Sequence, residues 1–291
     1  MKIRTAAKIN LALDVTGRLP DGYHIIESVF QSVGLYDEVS AELCSAGITV
    51  SCDVPEDFAQ ADPIPCDERN IAYKAAKLFF EETGFTGGCN IHITKGIPSQ
   101  AGMGGGSTDA AAVLHCLNTL TGKKLPLQQL CIIGKKLGAD VPFCLTGGTA
   151  YVGGIGEDIT PLPDFSKRIL VIAKGTQGVS TGEAYARIDA LEAPVHPQTD
   201  KLVDSLKNAP DTAYRYFGNL FEQAVQLDEV DKLKSAMLNK DALKANMTGS
   251  GSAVFGLFES REAADVCAEK LRKWGYFAQV CETVSNAYTL T

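Results

Sequence analysis

The sequence predicts an α+β protein of two domains, residues 1–160 and 161–291, and three observations carry that prediction. A half-buried strand at Cys89–Thr94 runs into a glycine-rich loop and then a strong helix. The chain closes as strand, helix, strand over Ala253–Thr283, a β-α-β ending that favours a mixed second domain. At 291 residues, 45% of them apolar and 21% charged, it is long enough to bury real cores and is not disordered or fibrous.

Lys2–Val15 is rich in strand-forming residues, with an irregular section at Ala6–Ala7 and an end at Gly17. A hairpin-like group follows at Ile25–Leu35, Glu38–Leu43 and Ile48–Cys52. Three prolines and several acids make Asp53–Asp67 a surface loop. Asn70–Thr83 spaces Ala72, Ala75, Ala76, Phe79 and Phe80 for one buried helix face. Further helices are expected at Ser107–Leu120, with Gly122 past its end, and at Leu127–Leu137, stopping at Gly138. Strands are expected at Thr149–Val152 and Ile169–Ala173, with the domain boundary between them near residues 155–165. Ala193–Pro210 reads as loop and Tyr214–Leu238 as mostly helix.

A net charge of −8 argues against nucleic acid as the main partner, because binders of a phosphate backbone concentrate Lys and Arg. The nine cysteines contain no C-x-x-C pair, so they read as reduced, buried thiols in a cytosolic protein. No segment approaches the ~18 uninterrupted apolar residues of a membrane span. The expectation is a cytoplasmic protein with a small-molecule substrate, no membrane or nucleic-acid partner, and no obligatory protein partner.

Chemistry concentrates in three segments. The first runs Lys95-Gly-Ile-Pro-Ser-Gln-Ala-Gly-Met-Gly-Gly-Gly-Ser-Thr-Asp109 into a helix. Glycines let backbone amides approach a ligand, and a helix N-terminus adds unpaired N–H groups, so a polyphosphate suits this place. It is not a Walker A loop, since no Lys follows the glycines, nor a Rossmann loop, since Ser107 stands where the sixth-position Gly belongs. The second segment, Met247–Gly256, is a shorter glycine loop (Gly249, Ser250, Gly251) entering an apolar strand. The third is Ala7-Lys-Ile-Asn10, where Lys8 and Asn10 leave the same face of a strand.

In this order the three segments resemble the GHMP kinase superfamily. Asp21-Gly-Tyr-His24 and Leu137-Gly-Ala-Asp-Val-Pro142 narrow the resemblance to the family acting on a cytidyl-linked methylerythritol in the non-mevalonate route to isoprenoid precursors, over essentially the whole chain. The resemblance implies a GHMP-kinase-like fold, an N-terminal domain like the second domain of ribosomal protein S5 and a ferredoxin-like C-terminal one. It implies ATP with Mg²⁺, and transfer to the 2-hydroxyl of 4-diphosphocytidyl-2-C-methyl-D-erythritol. Asp140 becomes the base and Lys8 its charge partner; at about 4 Å and an effective dielectric of 20 such a pair interacts by roughly 4 kcal/mol.

ATP would lie against Asn70, Lys95, Pro98, Ala101, Gly102, Met103, Gly104, Gly105, Gly106, Ser107 and Thr108, with Gly249, Ser250 and Gly251 on the phosphate side. The acceptor would meet Asn10, Tyr23, His24, Thr181 and Tyr185. Tyr23 and Tyr185 are expected to sandwich the cytosine while His24 reads its edge. Where superfamily relatives often place a magnesium-holding serine, this chain has Gly105 and Gly106, which leaves the metal to ATP oxygens and water, with no protein ligand assigned. Another GHMP kinase (for mevalonate, homoserine or a sugar) and a nucleotide-binding module without chemistry remain open alternatives.

Overall fold

The computed structural model describes residues 1–55 and 64–291. Most of the surface loop expected over 53–67 therefore lies outside the described residues. In chain order the first half holds β1 (Lys2–Arg18), β2 (His24–Cys44), β3 (Ile48–Asp53), α1 (Ile71–Thr83), β4 (Gly88–Thr94), α2 (Gly105–Leu120), α3 (Leu127–Lys135), α4 (Val141–Thr146), β5 (Thr149–Gly153) and β6 (Asp158–Pro161). The second half holds β7 (Ile169–Lys174), α5 (Thr181–Asp189), α6 (Thr199–Asn208), a 3₁₀ stretch (Pro210–Tyr216), β8 (Gly218–Asn219), α7 (Phe221–Ala224), α8 (Asp228–Leu238), β9 (Lys244–Met247), β10 (Val254–Phe258), α9 (Arg261–Lys273), β11 (Phe277–Glu282) and β12 (Tyr288–Leu290).

Two sheets organise these elements. The first runs β12-β1-β2-β4-β3, with β5 and β6 extending from β2 and β8 added beside β1. The second is antiparallel in the order β11-β7-β10-β9. With α8 leading into β9 and α9 into β11, that is the split β-α-β arrangement of a ferredoxin-like unit. Helices α1 and α2 bury their alanine-rich faces on the first sheet beside Ile3, Val39, Ile91 and Ile93. A separate apolar cluster lies between the sheets: Ile9, Leu11 and Val33 from the first meet Ile172, Phe255 and Cys281 from the second. Because strand side chains alternate, burying Ile9 and Leu11 there sends Lys8 and Asn10 to the other face of β1.

Several expectations are corrected. The hairpin-like group is one long strand, β2, and β3 pairs in parallel with β4 rather than with β2. The irregularity foreseen at Ala6–Ala7 is a register shift, with others at Asn10/Ala12 and Val15/Gly17. Residues 199–208, read as loop, form α6; its buried Leu202 and Leu206 are one turn apart, and flanking prolines hid so short a helix. The helix expected over 214–238 is broken, because Gly218–Asn219 joins β1 in parallel and Leu227 is extended before α8. The boundary proposed at residue 160 falls inside β6, one residue before its end, while β8 and β12 cross back to the first sheet.

The two glycine loops pack back to back. Gly102 has φ 70° and Gly249 φ 57°. A Cβ on Gly102 would stand 2.2 Å from the Thr248 carbonyl oxygen, and one on Gly249 would stand 2.7 Å from the Gly102 Cα. Gly102→Ala or Gly249→Ala is therefore expected to lower stability by more than the ~1–2 kcal/mol of a left-handed backbone alone. Thermal denaturation tests this, and an unchanged midpoint in both variants would mean the loops separate freely.

Candidate functional site

Three hydrogen-bonding devices, one of the backbone and two of asparagine side chains, hold the site together. The Lys8 N–H donates to the Met103 carbonyl at 3.1 Å, fixing the first glycine loop to β1. The Asn10 amide oxygen accepts from Lys8 Nζ (2.9 Å), the Gly249 N–H (2.9 Å) and Thr248 Oγ1 (3.2 Å). Its Nδ2 donates to Ser28 Oγ at 2.9 Å. Asn219 secures the second loop from below, donating to the carbonyls of Met247 and Gly249 at 2.9 Å each. Asn10, expected to touch the acceptor, borders the same cavity as Lys8 and Asp140, but it is 1% exposed and its oxygen is already taken by three protein donors.

Lys8 is buried as well, and its ammonium stands 3.5 Å from Asp140 Oδ2 and 4.5 Å from the centre of the Phe30 ring. Asp140 precedes the short helix α4 without capping it, so its carboxylate is free to face Lys8. Gly134 lacks the Cβ that would sit 2.9 Å from Val141, which lets α3 and α4 pack closely and sets Asp140 in place. A Cβ on Gly104 would meet Lys8 Cγ at 3.2 Å and approach Asp140 Oδ2 at 3.8 Å. The loop glycine nearest this pair is thus required by its closeness.

Helix α2 begins at Gly105, two residues before the expected Ser107, and Gly104 gives it no side-chain cap. Its first-turn N–H groups are therefore open to an anion. A Cβ on Gly105 would meet Ile97 Cγ2 at 3.3 Å and Lys95 Nζ at 3.5 Å, two residues that line one cavity with Gly105.

Two cavities adjoin this loop. One, of about 580 Å³, contains Lys8, Asp140, Tyr23, His24, Thr181 and Tyr185, along with Gly249 and Ser250. The other, of about 450 Å³, contains Asn70, Lys95, Pro98, Ala101, Met103, Gly105 and Gly106. Gly102, Gly104 and Ser107 border both. The arrangement suits two substrates whose reacting ends meet at the loop.

Other expected residues have their polar groups engaged within the protein. Lys95 is buried and bonds Asp37 and Asp109, the latter at 2.8 Å. Asp37 Oδ1 also accepts from the N–H groups of Gly96 and Ile97. Burial pulls Lys95 down, but the two carboxylates outweigh it and hold its pKa above the ordinary lysine value. Burial pushes the Asp109 carboxyl up to about 8, with Lys95 opposing and Asp37 adding. Lys95 thus acts as the counter-charge of two buried acids. Thr108 is fully buried, with its hydroxyl on the Gly105 carbonyl, and borders neither cavity. Asn70 uses its amide to cap α1 and to reach the Pro65 carbonyl. Gly251 has φ 95° in the turn after Thr248, and a Cβ there would meet Met247 Sδ at 2.8 Å.

The two tyrosines expected to sandwich the cytosine border the same cavity. Tyr23 stands at the rim with 61% exposure, but Tyr185 stacks on His24, ring centres 4.4 Å apart, and meets Phe221 edge-on. Burial, with Asp140 adding, pushes the Tyr185 hydroxyl to about 12. Thr181 starts α5 and lies 3.4 Å from Ser250. Sequence reasoning missed Thr248, Asn219, Phe30 and the acids Asp37 and Asp109. Thr248 and Asp109 carried a signal, since they stand inside the Met247–Gly256 and Lys95–Asp109 segments.

Fold and site together define a small-molecule kinase of the GHMP class. The family models of the GHMP kinases N terminal domain and the GHMP kinases C terminal domain match residues 70–148 and 206–276. A 4-diphosphocytidyl-2-C-methyl-D-erythritol kinase of Clostridium botulinum (strain Eklund 17B / Type B) is 42% identical over 94% of this chain and 96% of its own. A crystal structure of 4-(cytidine 5'-diphospho)-2C-methyl-D-erythritol kinase superposes with TM-score 0.80 at 31% identity, covering 97% of this chain and 99% of that one. The homoserine kinase of Cytophaga hutchinsonii ATCC 33406 superposes with TM-score 0.78 at 21% identity over 100% and 97%, a likeness of fold alone. The chain belongs to the GHMP kinase family, on the branch of these 4-diphosphocytidyl-2-C-methyl-D-erythritol kinases.

Removing one partner from a buried ionic group leaves uncompensated charge, typically at about 3–5 kcal/mol, so Lys95→Met should destabilise the protein by that order. Chemical denaturation measures it. A native midpoint with only ATP affinity reduced would return Lys95 to the nucleotide.

Proposed function

We propose that the chain transfers the γ-phosphoryl group of ATP to the 2-hydroxyl of 4-diphosphocytidyl-2-C-methyl-D-erythritol. The observation that carries this reading is the pair of cavities meeting at Gly102, Gly104 and Ser107, with Lys8 and Asp140 on the acceptor side of the junction. The curated relative and the solved structure that share the chain over nearly its full length are named for that substrate.

In this reading the second cavity takes ATP, with its phosphates at the open N-terminus of α2 and its γ-phosphorus turned toward Gly104. The first cavity takes the acceptor. The substrate hydroxyl oxygen attacks the γ-phosphorus in line, the bond from that phosphorus to the bridging oxygen of ADP breaks, and the hydroxyl proton passes to Asp140. Lys8, held by Asn10 with its ammonium beside Asp140, keeps the carboxylate aimed and offers positive charge to the transferring oxygens. Phosphoryl transfer needs alignment and charge neutralisation more than covalent help, and a buried ammonium fixed by two partners supplies both.

Magnesium, when bound with ATP, would neutralise phosphate charge. Among the described residues no group of three or more His, Cys, Asp and Glu is placed to hold a metal ion. Gly105 and Gly106 add no side-chain ligand, and we assign the ion to ATP oxygens and water. Among the described residues no helix is long and apolar enough to cross a membrane, and the cytoplasm is the proposed compartment.

Asp140→Asn keeps the shape of the side chain but cannot take the proton. It is expected to lower kcat by about 10²–10⁴-fold while ATP still binds. ADP release, measured with the cytidyl substrate, methylerythritol, mevalonate and homoserine, tests both parts. Near-native turnover by the variant would remove Asp140 from the chemistry, and a preference for mevalonate or homoserine would reassign the substrate.

A further inference from the structure

The turn joining β1 to β2 and the last residue of α5 meet at one carboxylate. Arg18 and His24 are directly opposed in the β1–β2 register, which places their side chains on the same face of the hairpin. Arg18 donates from Nη1 to Asp189 Oδ2 at 3.1 Å and from Nε to the Gly22 carbonyl at 3.2 Å. His24 Nε2 lies 2.8 Å from Asp189 Oδ1. Tyr185, four residues before Asp189 on α5, occupies the same helix face and stacks on the His24 ring with an interplanar angle of 21°. Successive turns of α5 thus hold the imidazole by its face and by one nitrogen. The His24 side chain is only 11% exposed.

A carboxylate accepts and does not donate, so the hydrogen of this bond sits on Nε2. In the neutral imidazole the remaining nitrogen, Nδ1, is then a bare acceptor. Among the described residues Nδ1 has no hydrogen-bond partner, while His24 borders the acceptor cavity beside Tyr23. Arg18 gives Asp189 a permanent counter-charge, so the carboxylate is not left with the imidazole as its sole partner.

We propose that Asp189 is a specificity-determining positioning residue: by fixing His24 with its hydrogen on Nε2, it presents Nδ1 as an acceptor and selects a base offering an amino group. This rests on the cytidyl-substrate reading. Cytosine offers an exocyclic amino group on its pairing edge. Uracil offers a carbonyl at the same place, and two lone pairs would face each other there. The opposite tautomer would reverse the preference. Asp189 acts through His24 and, in this scheme, does not itself touch the base.

The test compares the full-length protein with Asp189→Ala and Asp189→Glu, using the cytidyl substrate and its uridyl counterpart at saturating ATP. Nitrogen NMR of the His24 ring, without substrate, reports the tautomer. The wild type is expected to carry hydrogen on Nε2 and to favour the cytidyl substrate. One correctly presented hydrogen bond corresponds to roughly a 10-fold preference, so Asp189→Ala should reduce the kcat/KM ratio by about that factor. The loss should appear in KM for the cytidyl substrate, with KM for ATP unchanged, and Asp189→Glu should retain most of the preference. Equal losses for both substrates, an unchanged ratio, or hydrogen on Nδ1 in the wild type overturns the proposal. Should the wild type phosphorylate neither substrate, base selection falls with the substrate reading, and the ring spectrum still reports separately whether Asp189 sets the tautomer.

Discussion

The site depends on the amide oxygen of Asn10. It accepts from Lys8, Thr248 and the Gly249 backbone, so one buried atom joins β1 to the second glycine loop. Thr248 Oγ1 also lies 3.4 Å from the Gly102 carbonyl of the first loop, so its one hydrogen is shared between two acceptors, while the oxygen accepts from the Asn10 N–H. In a region of low effective dielectric each of these bonds is strong and each unmade one expensive. Lys8 inherits its position from that arrangement. An ammonium on a flexible four-carbon stem becomes a fixed charge because Asn10, Asp140 and the Phe30 ring surround it.

Buried charge recurs beneath the first glycine loop, where Lys95 lies between Asp37 and Asp109. Two acids with one base give the interior a net negative bias, and the raised Asp109 carboxyl is the response expected from that bias and from burial. The triad ties β2, the end of β4 and α2 together at one point. A motif lysine beside a nucleotide loop is easily read as a phosphate ligand. Here two carboxylates, one 58 and one 14 residues away in sequence, hold it at the wall of the second cavity.

The elements legible in the sequence were those with strong local periodicity. The alternation at Cys89–Thr94, the alanine-rich face of α1 and the closing strand, helix and strand all lie within a residue or two of where pattern placed them. The elements missed owe their form to partners far along the chain. Gly218–Asn219 is extended because β1 offers it a ladder, and α6 is a helix because Leu202 and Leu206 have a core to enter. Residues 25–43 read as two strands because nothing in their composition shows that one continuous β2 serves β1, β4 and β5.

The sequence by itself determined the chemical inventory. The glycine run before a helix, the lysine and asparagine on one strand face and the aspartate before Val141–Pro142 were readable because backbone freedom, strand alternation and helix initiation are local rules. Which members of that inventory face a cavity was decided only by the tertiary structure. Asn10 and Lys95 border the cavities with their polar atoms already held by protein partners, and Thr108 is buried and borders neither, whereas Asp189 carries no signal in the sequence and stands against His24. Burial and hydrogen-bond satisfaction are properties of the whole packed interior, and a one-dimensional pattern does not contain them.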